Sequence, residues 1–375
     1  MFKRFRIRDY DFKLIIMVLA LASIGVIAIG SAEESLQTKQ LFGVIAGAVA
    51  MIALSFVNYS FWLKLYWLMY IGNIGLLVLV IFSGAGQDAG GAQRWLKIGG
   101  LQFQPSETAK ILLILFFSQF IMKYKEKLNT FKIIMLCLIL VAVPWALIYK
   151  QPDLSTSMVV IVIFCIIMFA GGISYKLVLG VLAVVIPTIA VLITLALQPD
   201  NTILEDYQKD RILAFIKPEE YADKEAYQQL NSIMAIGSGQ LNGKGYKNNE
   251  ITSVKNGNFI SEAQTDFIFA VIGEEFGFKG CVLVVVLLIG ISLECISIAR
   301  RAKDLAGRII CAGVGGLVAF QGFFNIGVAT FILPNTGLPL PFVSYGLTSV
   351  MSLFAAMGFV LNVRLQAKKI SQMND

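Results

Sequence analysis

"SEAQTDFIFAVIGEEFGFKGCVLVVVLL", residues 261–288, contains one apolar piece that is too short to cross a membrane and one that is long enough. The first piece, FIFAVI, has six residues between Asp266 and Gly273, whereas a helix needs about 20 apolar residues to span a bilayer. The second piece begins after Gly277. The stretch therefore predicts a short helix at the membrane interface or dipping into a cavity, with Asp266 in its first turn, followed by a full span.

Four carboxylates, Glu262, Asp266, Glu274 and Glu275, lie in this stretch, although carboxylates are costly near lipid. At about 100° per residue on a helix, Glu275 points away from Asp266 and Glu274 lies off to one side. Only Glu262 could share the face of Asp266. We therefore expect no single carboxylate cluster, with Asp266 nearly alone. A helix start, where an anion is favoured, explains Asp266 as well as chemistry does.

The apolar pattern continues through the chain of 375 residues, which is 57% hydrophobic and 15% charged; soluble domains are about 25% charged. The sequence predicts an all-α polytopic membrane protein, a single integral-membrane domain over residues 1–375 with about ten transmembrane helices. A large extracellular loop, residues 198–265, separates spans seven and eight. The spans are approximately 13–31, 40–57, 61–82, 106–122, 131–149, 156–171, 175–197, 278–299, 307–331 and 343–362.

The distribution of basic residues predicts the orientation. Ten spans place both termini on one side, and 17 lysines and arginines lie in the N-terminus, the C-terminus and the loops of that side. The short loops opposite hold four, Lys39, Arg94, Lys97 and Lys150. Because basic residues accumulate on the cytoplasmic side, both termini are expected in the cytoplasm and the unusual loops outside. Function should therefore lie on the outer face.

Several classes of function lack support in the sequence. The net charge of +7 comes mostly from short clusters beside apolar runs, which indicates contact with membrane lipid rather than with nucleic acid. The chain has no histidine and five cysteines without CxxC spacing, so disulfides and a thiolate metal site are not expected. Phosphate-binding loops and hydrolase motifs are also missing from the sequence.

The predicted fourth span begins with QPSETAK, which places Glu107 and Lys110 three residues apart on one helical face, close enough to pair. Lys110 falls inside the apolar run, and an ionisable residue in a membrane is a candidate functional residue. A snorkelling lysine tied to Glu107 for structural reasons is the alternative.

Three further residues on the outer side are candidates. Asp153, in QPDLSTS, lies at a span boundary, where helix capping explains it equally well. Arg94, beside Trp95, could hold phosphate oxygens or serve only as an interfacial arginine. Arg211 is another cation on this side. Carboxylates with cations suit the displacement of pyrophosphate from a lipid-linked substrate, and they equally suit a transporter that binds an anionic headgroup.

Six segments together resemble the SEDS family of shape, elongation, division and sporulation proteins. In chain order they are GAQRWLKIGGLQFQPSETAK (91–110), QPDLSTS (151–157), RILAFIKP (211–218), AIGSGQLNGKG (235–245), TDFIFAVIGEEFG (265–277) and TGLPLPFVSYG (336–346). The GAQRW wording is most similar to the elongation branch of the family. Leu347 and Thr348 depart from the usual SYGGS pattern.

The resemblance implies a peptidoglycan glycosyltransferase that polymerises lipid II on the outer face of the bacterial cytoplasmic membrane for cell elongation and shape. It implies a class B penicillin-binding protein as partner. The family's essential aspartate matches Asp266, and its other site residues match Glu107, Lys110 and Asp153. Arg94 and Arg211 fall in motifs that line the same cavity.

A single displacement with inversion is the implied reaction, with Asp266 as base on the acceptor hydroxyl. Arg94, Lys110, Arg211 or a divalent cation, Mg²⁺ or Mn²⁺, held near Asp153 would stabilise the undecaprenyl pyrophosphate that leaves. Three alternatives are a lipid II flippase, a non-catalytic scaffold for the penicillin-binding protein, and the division or sporulation relative with the same chemistry.

Overall fold

The computed structural model describes residues 10–82, 94–98, 101–180, 213–222, 226–247, 260 and 263–371, with a few single positions between 183 and 194. The helices are numbered here in chain order. They are α1 (Phe12–Ala32), α2 (Glu34–Phe56), α3 (Tyr59–Lys64), α4 (Tyr66–Phe82), α5 (Pro105–Lys123), α6 (Phe131–Tyr149), α7 (Leu154–Ala170), α8 (Tyr227–Ser238), α9 (Ile268–Arg300), α10 (Leu305–Ala329) and α11 (Leu347–Ser371).

Nine of the ten predicted spans coincide with these helices. Within the described part of the chain, seven helices are long and apolar enough to cross a membrane, namely α1, α2, α5, α6, α9, α10 and α11, and α4 and α7 are shorter apolar helices. For the predicted seventh span, residues 175–180 are helical, and most of its remainder lies outside the described residues. The prediction of an all-α polytopic membrane fold is confirmed.

The structure corrects three details of the prediction. The third span is interrupted at Leu65, between α3 and α4. The last helix begins at Leu347, after the proline-rich loop, rather than at residue 343. A short antiparallel hairpin precedes α5, with β1 (Leu96–Ile98) paired to β2 (Leu101–Phe103), where the sequence predicted only a loop.

Long-range hydrogen bonds define the two ends of the bundle. At one end, the Tyr59 hydroxyl donates to Asp304 over 2.8 Å and Asn362 accepts from the Tyr59 amide over 2.9 Å; this end, which also holds Asp11, is called the termini end. At the other end, Ser155 donates to the Thr336 carbonyl. This end holds the starts of α5, α7 and α9 and is called the loop end.

Helix α5 lies in the centre of the bundle, and nearly all of its residues are buried. It packs against α4, α7, α10 and α11. By contrast, α6 is peripheral and exposes a row of large apolar side chains, including Phe131, Leu138 and Val143, as expected for a face toward lipid tails. A central α5 fixes the position of the polar residues at its start.

Candidate active site at the loop end

Helix α9 breaks at Gly277, whose backbone dihedrals of φ 64° and ψ −161° are not helical. The first part, residues 268–276, is almost entirely buried, and the second part exposes apolar side chains such as Phe278 and Val286. This geometry confirms the prediction of a short helix followed by a span. The prediction that Asp266 lies in the first turn is wrong, because the helix begins at Ile268 and its N-cap is Phe267.

Asp266 lies in the turn that precedes α9 and is partly exposed. The Asn325 side-chain amide donates to the Asp266 main-chain carbonyl over 2.7 Å and to the Leu338 carbonyl over 2.8 Å. The Ser344 hydroxyl donates to the Thr265 carbonyl over 2.6 Å. Side chains from α10 and from the loop before α11 therefore bind the main chain of this turn and fix the position of Asp266.

The loop of residues 333–346 packs against this turn through its backbone. The Tyr345 amide donates to the Gln264 carbonyl over 2.9 Å. A Cβ atom on Gly337 would lie 3.2 Å from Oδ2 of Asp266, so the carboxylate lies close to the loop backbone. Gly337 also has a φ of 71°, which side chains disfavour. Burial raises the pKa of the Tyr345 phenol above its ordinary value.

Glu107 and Lys110 form the predicted ion pair near the start of α5. Lys110 Nζ lies 2.7 Å from Oε1 of Glu107, and the two residues are 1% and 4% exposed. The ammonium group therefore does not snorkel to the surface. Lys110 also borders a crevice between α5, α6 and α7 that is otherwise apolar, with Leu113, Phe117, Val141, Val160, Ile163, Phe164 and Ile167 as its lining.

Asp153 is the N-cap of α7, as the capping alternative expected. Its Oδ1 accepts from the Thr156 amide over 3.1 Å, and its Oδ2 accepts from the Ser106 hydroxyl over 3.4 Å. The residue is 4% exposed. Asp153 thus joins the starts of α5 and α7, and its partner on α5, Ser106, is the residue just before Glu107.

Arg94 contacts the chain just before Asp153. Its Nε donates to the Gln151 carbonyl over 3.2 Å, and a terminal nitrogen donates to the Pro152 carbonyl. Because a guanidinium has five N–H donors, these two bonds leave capacity for a phosphate oxygen. Arg94 is partly exposed, and it belongs to the same group as Asp153.

The structure connects this group to Asp266 through two contacts. Ser155 on α7 donates to the Thr336 carbonyl, and the next residue, Gly337, lies against the Asp266 carboxylate. Arg94, Asp153, Glu107 and Lys110 therefore lie at the same end of the bundle as Asp266. Arg211 and Glu262 lie outside the described residues.

The other two carboxylates of the opening stretch have separate contacts. Glu274 pairs with Lys244 at 2.9 Å. Glu275 accepts from the Ser31 hydroxyl and, over 3.2 Å, from the Lys247 amide. The expectation that these carboxylates form no single cluster is confirmed for the described ones.

A divalent cation near Asp153 has no preformed protein site in the described part of the chain. There, no group of three His, Cys, Asp or Glu residues lies close enough to hold a metal ion. Both carboxylate oxygens of Asp153 already accept hydrogen bonds. The described residues do not fit a resident metal, and the cation stays a prediction.

Sequence reasoning missed Asn325, Ser155 and Ser344. Ser155 and Ser344 lie inside two of the recognised motifs, QPDLSTS and TGLPLPFVSYG, but no local pattern distinguishes either serine from the other residues of its motif. Asn325 lies in an apolar helix and is 1% exposed. An asparagine within such an apolar run is the sequence signal that could have identified it, since buried polar groups find partners.

Comparisons with known proteins show the family to which the chain is similar. The profile of the cell cycle protein family FtsW, RodA and SpoVE matches residues 11–369. The chain is 32% identical to a probable peptidoglycan glycosyltransferase FtsW of Geobacter metallireducens, with 96% of each chain covered. It is also 32% identical to the peptidoglycan glycosyltransferase MrdB of Escherichia coli K12, with 97% of this chain and 95% of MrdB covered.

Solved structures show the same fold. The rod shape determining protein RodA of Thermus thermophilus superposes with a TM-score of 0.67 at 26% identity, over 95% of this chain and 96% of that one. A chain from a peptidoglycan synthase complex that coordinates polymerization and crosslinking superposes with a TM-score of 0.78 at 26% identity, over 96% and 98%.

Proposed function

We infer that this chain, which belongs to the family of cell cycle proteins that comprises FtsW, RodA and SpoVE, is a peptidoglycan glycosyltransferase with lipid II as its substrate. Full-length relatives with 32% identity bear the name of this activity. The observation in the structure that supports it best is that Asp266, with its main-chain carbonyl bound by Asn325 and its carboxylate beside Gly337, lies at the same end of the bundle as the polar starts of α5 and α7.

Asp266 is the base in the proposed reaction. The acceptor sugar's 4-hydroxyl loses its proton to the Asp266 carboxylate while its oxygen attacks the anomeric carbon of the donor. The bond from that carbon to the pyrophosphate oxygen breaks, and undecaprenyl pyrophosphate leaves with the electron pair. One displacement turns an α linkage into a β-1,4 linkage, as in inverting glycosidases, although pyrophosphate needs no general acid.

Cations at the loop end stabilise the leaving pyrophosphate. Arg94 suits this role because its fork matches phosphate oxygens and two of its donors already anchor it to residues 151 and 152. Lys110 contributes positive charge at the start of α5, and its pairing with Glu107 fixes its place. Arg211 is assigned to the same role from its motif.

The proposed membrane orientation places the loop end outside the cytoplasmic membrane and both termini in the cytoplasm. The excess of lysine and arginine on the side of the termini supports it. A class B penicillin-binding protein is the proposed partner, since a chain with the same fold acts in a complex that couples polymerization to crosslinking.

The likeness to a rod shape determining protein favours a role in elongation. The FtsW relatives match the chain equally well, so a division or sporulation role with the same chemistry is the alternative.

Purified protein given lipid II tests the proposal, with products separated by size and lipid II translocation followed in parallel vesicles. We expect glycan strands from the unaltered protein and far fewer from Asp266→Asn. Translocation without polymer would favour the flippase. Intact complex formation and normal growth with Asp266→Asn would favour the scaffold.

A further inference from the structure

The break at Gly277 is covered by a second part of the chain, residues 239–245, called the clamp segment here. The amides of Lys244 and Gly245 donate to the carbonyls of Glu274 and Glu275 over 2.9 and 3.1 Å, and the Phe278 amide donates to the Gln240 carbonyl over 2.8 Å. A helix break leaves backbone groups without helical partners. The clamp segment supplies those partners on both sides of Gly277.

The backbone contact is so close that side chains are excluded from it. A Cβ atom on Gly243 would collide with the Glu275 carbonyl, and a Cβ atom on Gly277 would collide with the Gly243 amide. Both glycines also have a positive φ, 80° and 64°. The clamp segment and the break therefore fit each other in one arrangement.

A largely buried ion pair joins the same two parts. Lys244 Nζ lies 2.9 Å from Oε1 of Glu274, and the side chains are 19% and 4% exposed. In the nearby pair of Lys247 and Glu34, Nζ lies 2.8 Å from Oε1, which is almost the same distance, but the two side chains are 37% and 80% exposed. Exposed pairs contribute little, whereas a broken buried pair leaves an uncompensated charge.

The Lys244–Glu274 pair lies near one end of the short helix 268–276, and the candidate base, Asp266, lies just before the other end. Glu274 belongs to the helical segment 268–276, whose other end continues into the turn of Asp266. At 1.5 Å per residue this lever is about 15 Å long, so a tilt of about 4° at Gly277 would move Asp266 by about 1 Å. A displacement of that size can cost about 10²-fold in rate.

We propose that Lys244 and Glu274 are a positioning pair, which fixes the tilt of segment 268–276 at Gly277 and thereby the place of Asp266 relative to the acceptor hydroxyl. The inference rests on the proposed function, since Asp266 is the base there. It assigns the outer loop that carries the clamp segment a part in the chemical step, although neither residue touches the substrate.

Steady-state kinetics of lipid II polymerisation test the pair with Lys244→Met, Glu274→Gln and the exchanged double variant Lys244→Glu, Glu274→Lys. We expect each single variant to lower kcat at least tenfold, with KM for lipid II within twofold of the unaltered protein. The exchanged variant and Lys244→Arg should recover most of kcat. Lys247→Met is the matched control and should stay within twofold.

Thermal unfolding of each variant separates positioning from folding. A fall in kcat for protein that is folded at the assay temperature supports the pair, and if Lys244→Met does not fold, the nearly isosteric Glu274→Gln decides. Unchanged kcat in folded single variants, or KM rising in proportion, overturns the inference. An unaltered protein that makes no polymer contradicts the proposed function instead.

Discussion

The two ends of the bundle each place an aspartate just before a helix, but they hold it differently. At the termini end, Asp304 caps α10, and its carboxylate accepts from the Gly307 amide and the Tyr59 hydroxyl, both over 2.8 Å. At the loop end, Asp266 precedes the cap of α9, and Asn325 binds its main-chain carbonyl. The structural aspartate is held through its carboxylate, and at the candidate base a buried asparagine side chain holds the main chain.

This difference separates two roles that local sequence makes look alike. A capping carboxylate stabilises the helix that follows it, and Oδ1 of Asp304 does so for α10, while its Oδ2 accepts from Tyr59 on α3. A base must be held where the proton will be and still reach it. The bond from the Asn325 side chain to the Asp266 main-chain carbonyl helps to meet that need, because it places the residue without occupying a carboxylate oxygen.

Exchange of each aspartate for asparagine gives the largest expected contrast. Asp266→Asn removes the base, and we expect polymerisation to fall by about 10²–10⁴-fold with little change in the melting temperature. Asp304→Asn keeps a good cap and should leave the rate within twofold. Rates measured on purified lipid II, beside melting curves, check both. Similar losses of rate in the two variants would contradict the distinction between the ends.

Variants of the Glu107–Lys110 pair test whether a buried ion pair at the loop end has a structural or a functional role. Lys110→Met leaves the Glu107 carboxylate without its cation. We expect the free energy of unfolding to fall by about 3–5 kcal/mol and polymerisation activity to be lost as well. The double variant Glu107→Leu, Lys110→Met should regain stability, because apolar replacements of buried pairs are often neutral.

If Lys110 stabilises pyrophosphate, the double variant should remain at least tenfold slow when it is fully folded. Denaturation midpoints and polymerisation rates, measured on the same preparations, check this. A stable and active double variant would show that the pair has a structural role only.

Two buried asparagines offer a smaller contrast. Asn325→Ala frees the Asp266 turn, and we expect polymerisation to fall about tenfold, since small displacements of a reacting group are costly. Asn362→Ala removes bonds to Tyr59 and to the Ser55 carbonyl at the termini end. It should lower the free energy of unfolding by about 1–3 kcal/mol and leave the rate of the folded enzyme unchanged, which assays well below both melting temperatures check.

Chelation should give the smallest effect. Both oxygens of Asp153 already accept hydrogen bonds, so we expect EDTA to change the polymerisation rate less than twofold. A larger loss that added Mg²⁺ or Mn²⁺ restores, and that Asp153→Asn abolishes, would show that the predicted cation binds together with the substrate.

Much of the architecture could be predicted because each signal was local. The length of FIFAVI and the position of Gly277 predicted the broken helix, and the spacing of Glu107 and Lys110 predicted their pair. Span lengths follow from the thickness of the bilayer. These features depend on residues within about two helical turns of one another.

The features that could not be predicted join distant parts of the chain. Asn325 reaches Asp266 across 59 residues, and Ser155 reaches Thr336 across 181. The periodicity of apolar residues along a helix does not indicate which distant residues will form hydrogen bonds. The single error about Asp266, its place one residue before the cap, has the same origin, because contacts from α10 and from loop 333–346 hold the turn open there.

The glycines at 243 and 277 have one further consequence. A methyl group is the smallest side chain that a mutation can add, and at these two positions there is no space for it. A map of every single substitution should therefore show that even alanine is not tolerated at Gly243 and Gly277, 34 residues apart in the sequence, nor at Gly239, whose Cβ would collide with the Gly273 carbonyl oxygen. Together those positions would trace the contact between the clamp segment and the break in α9.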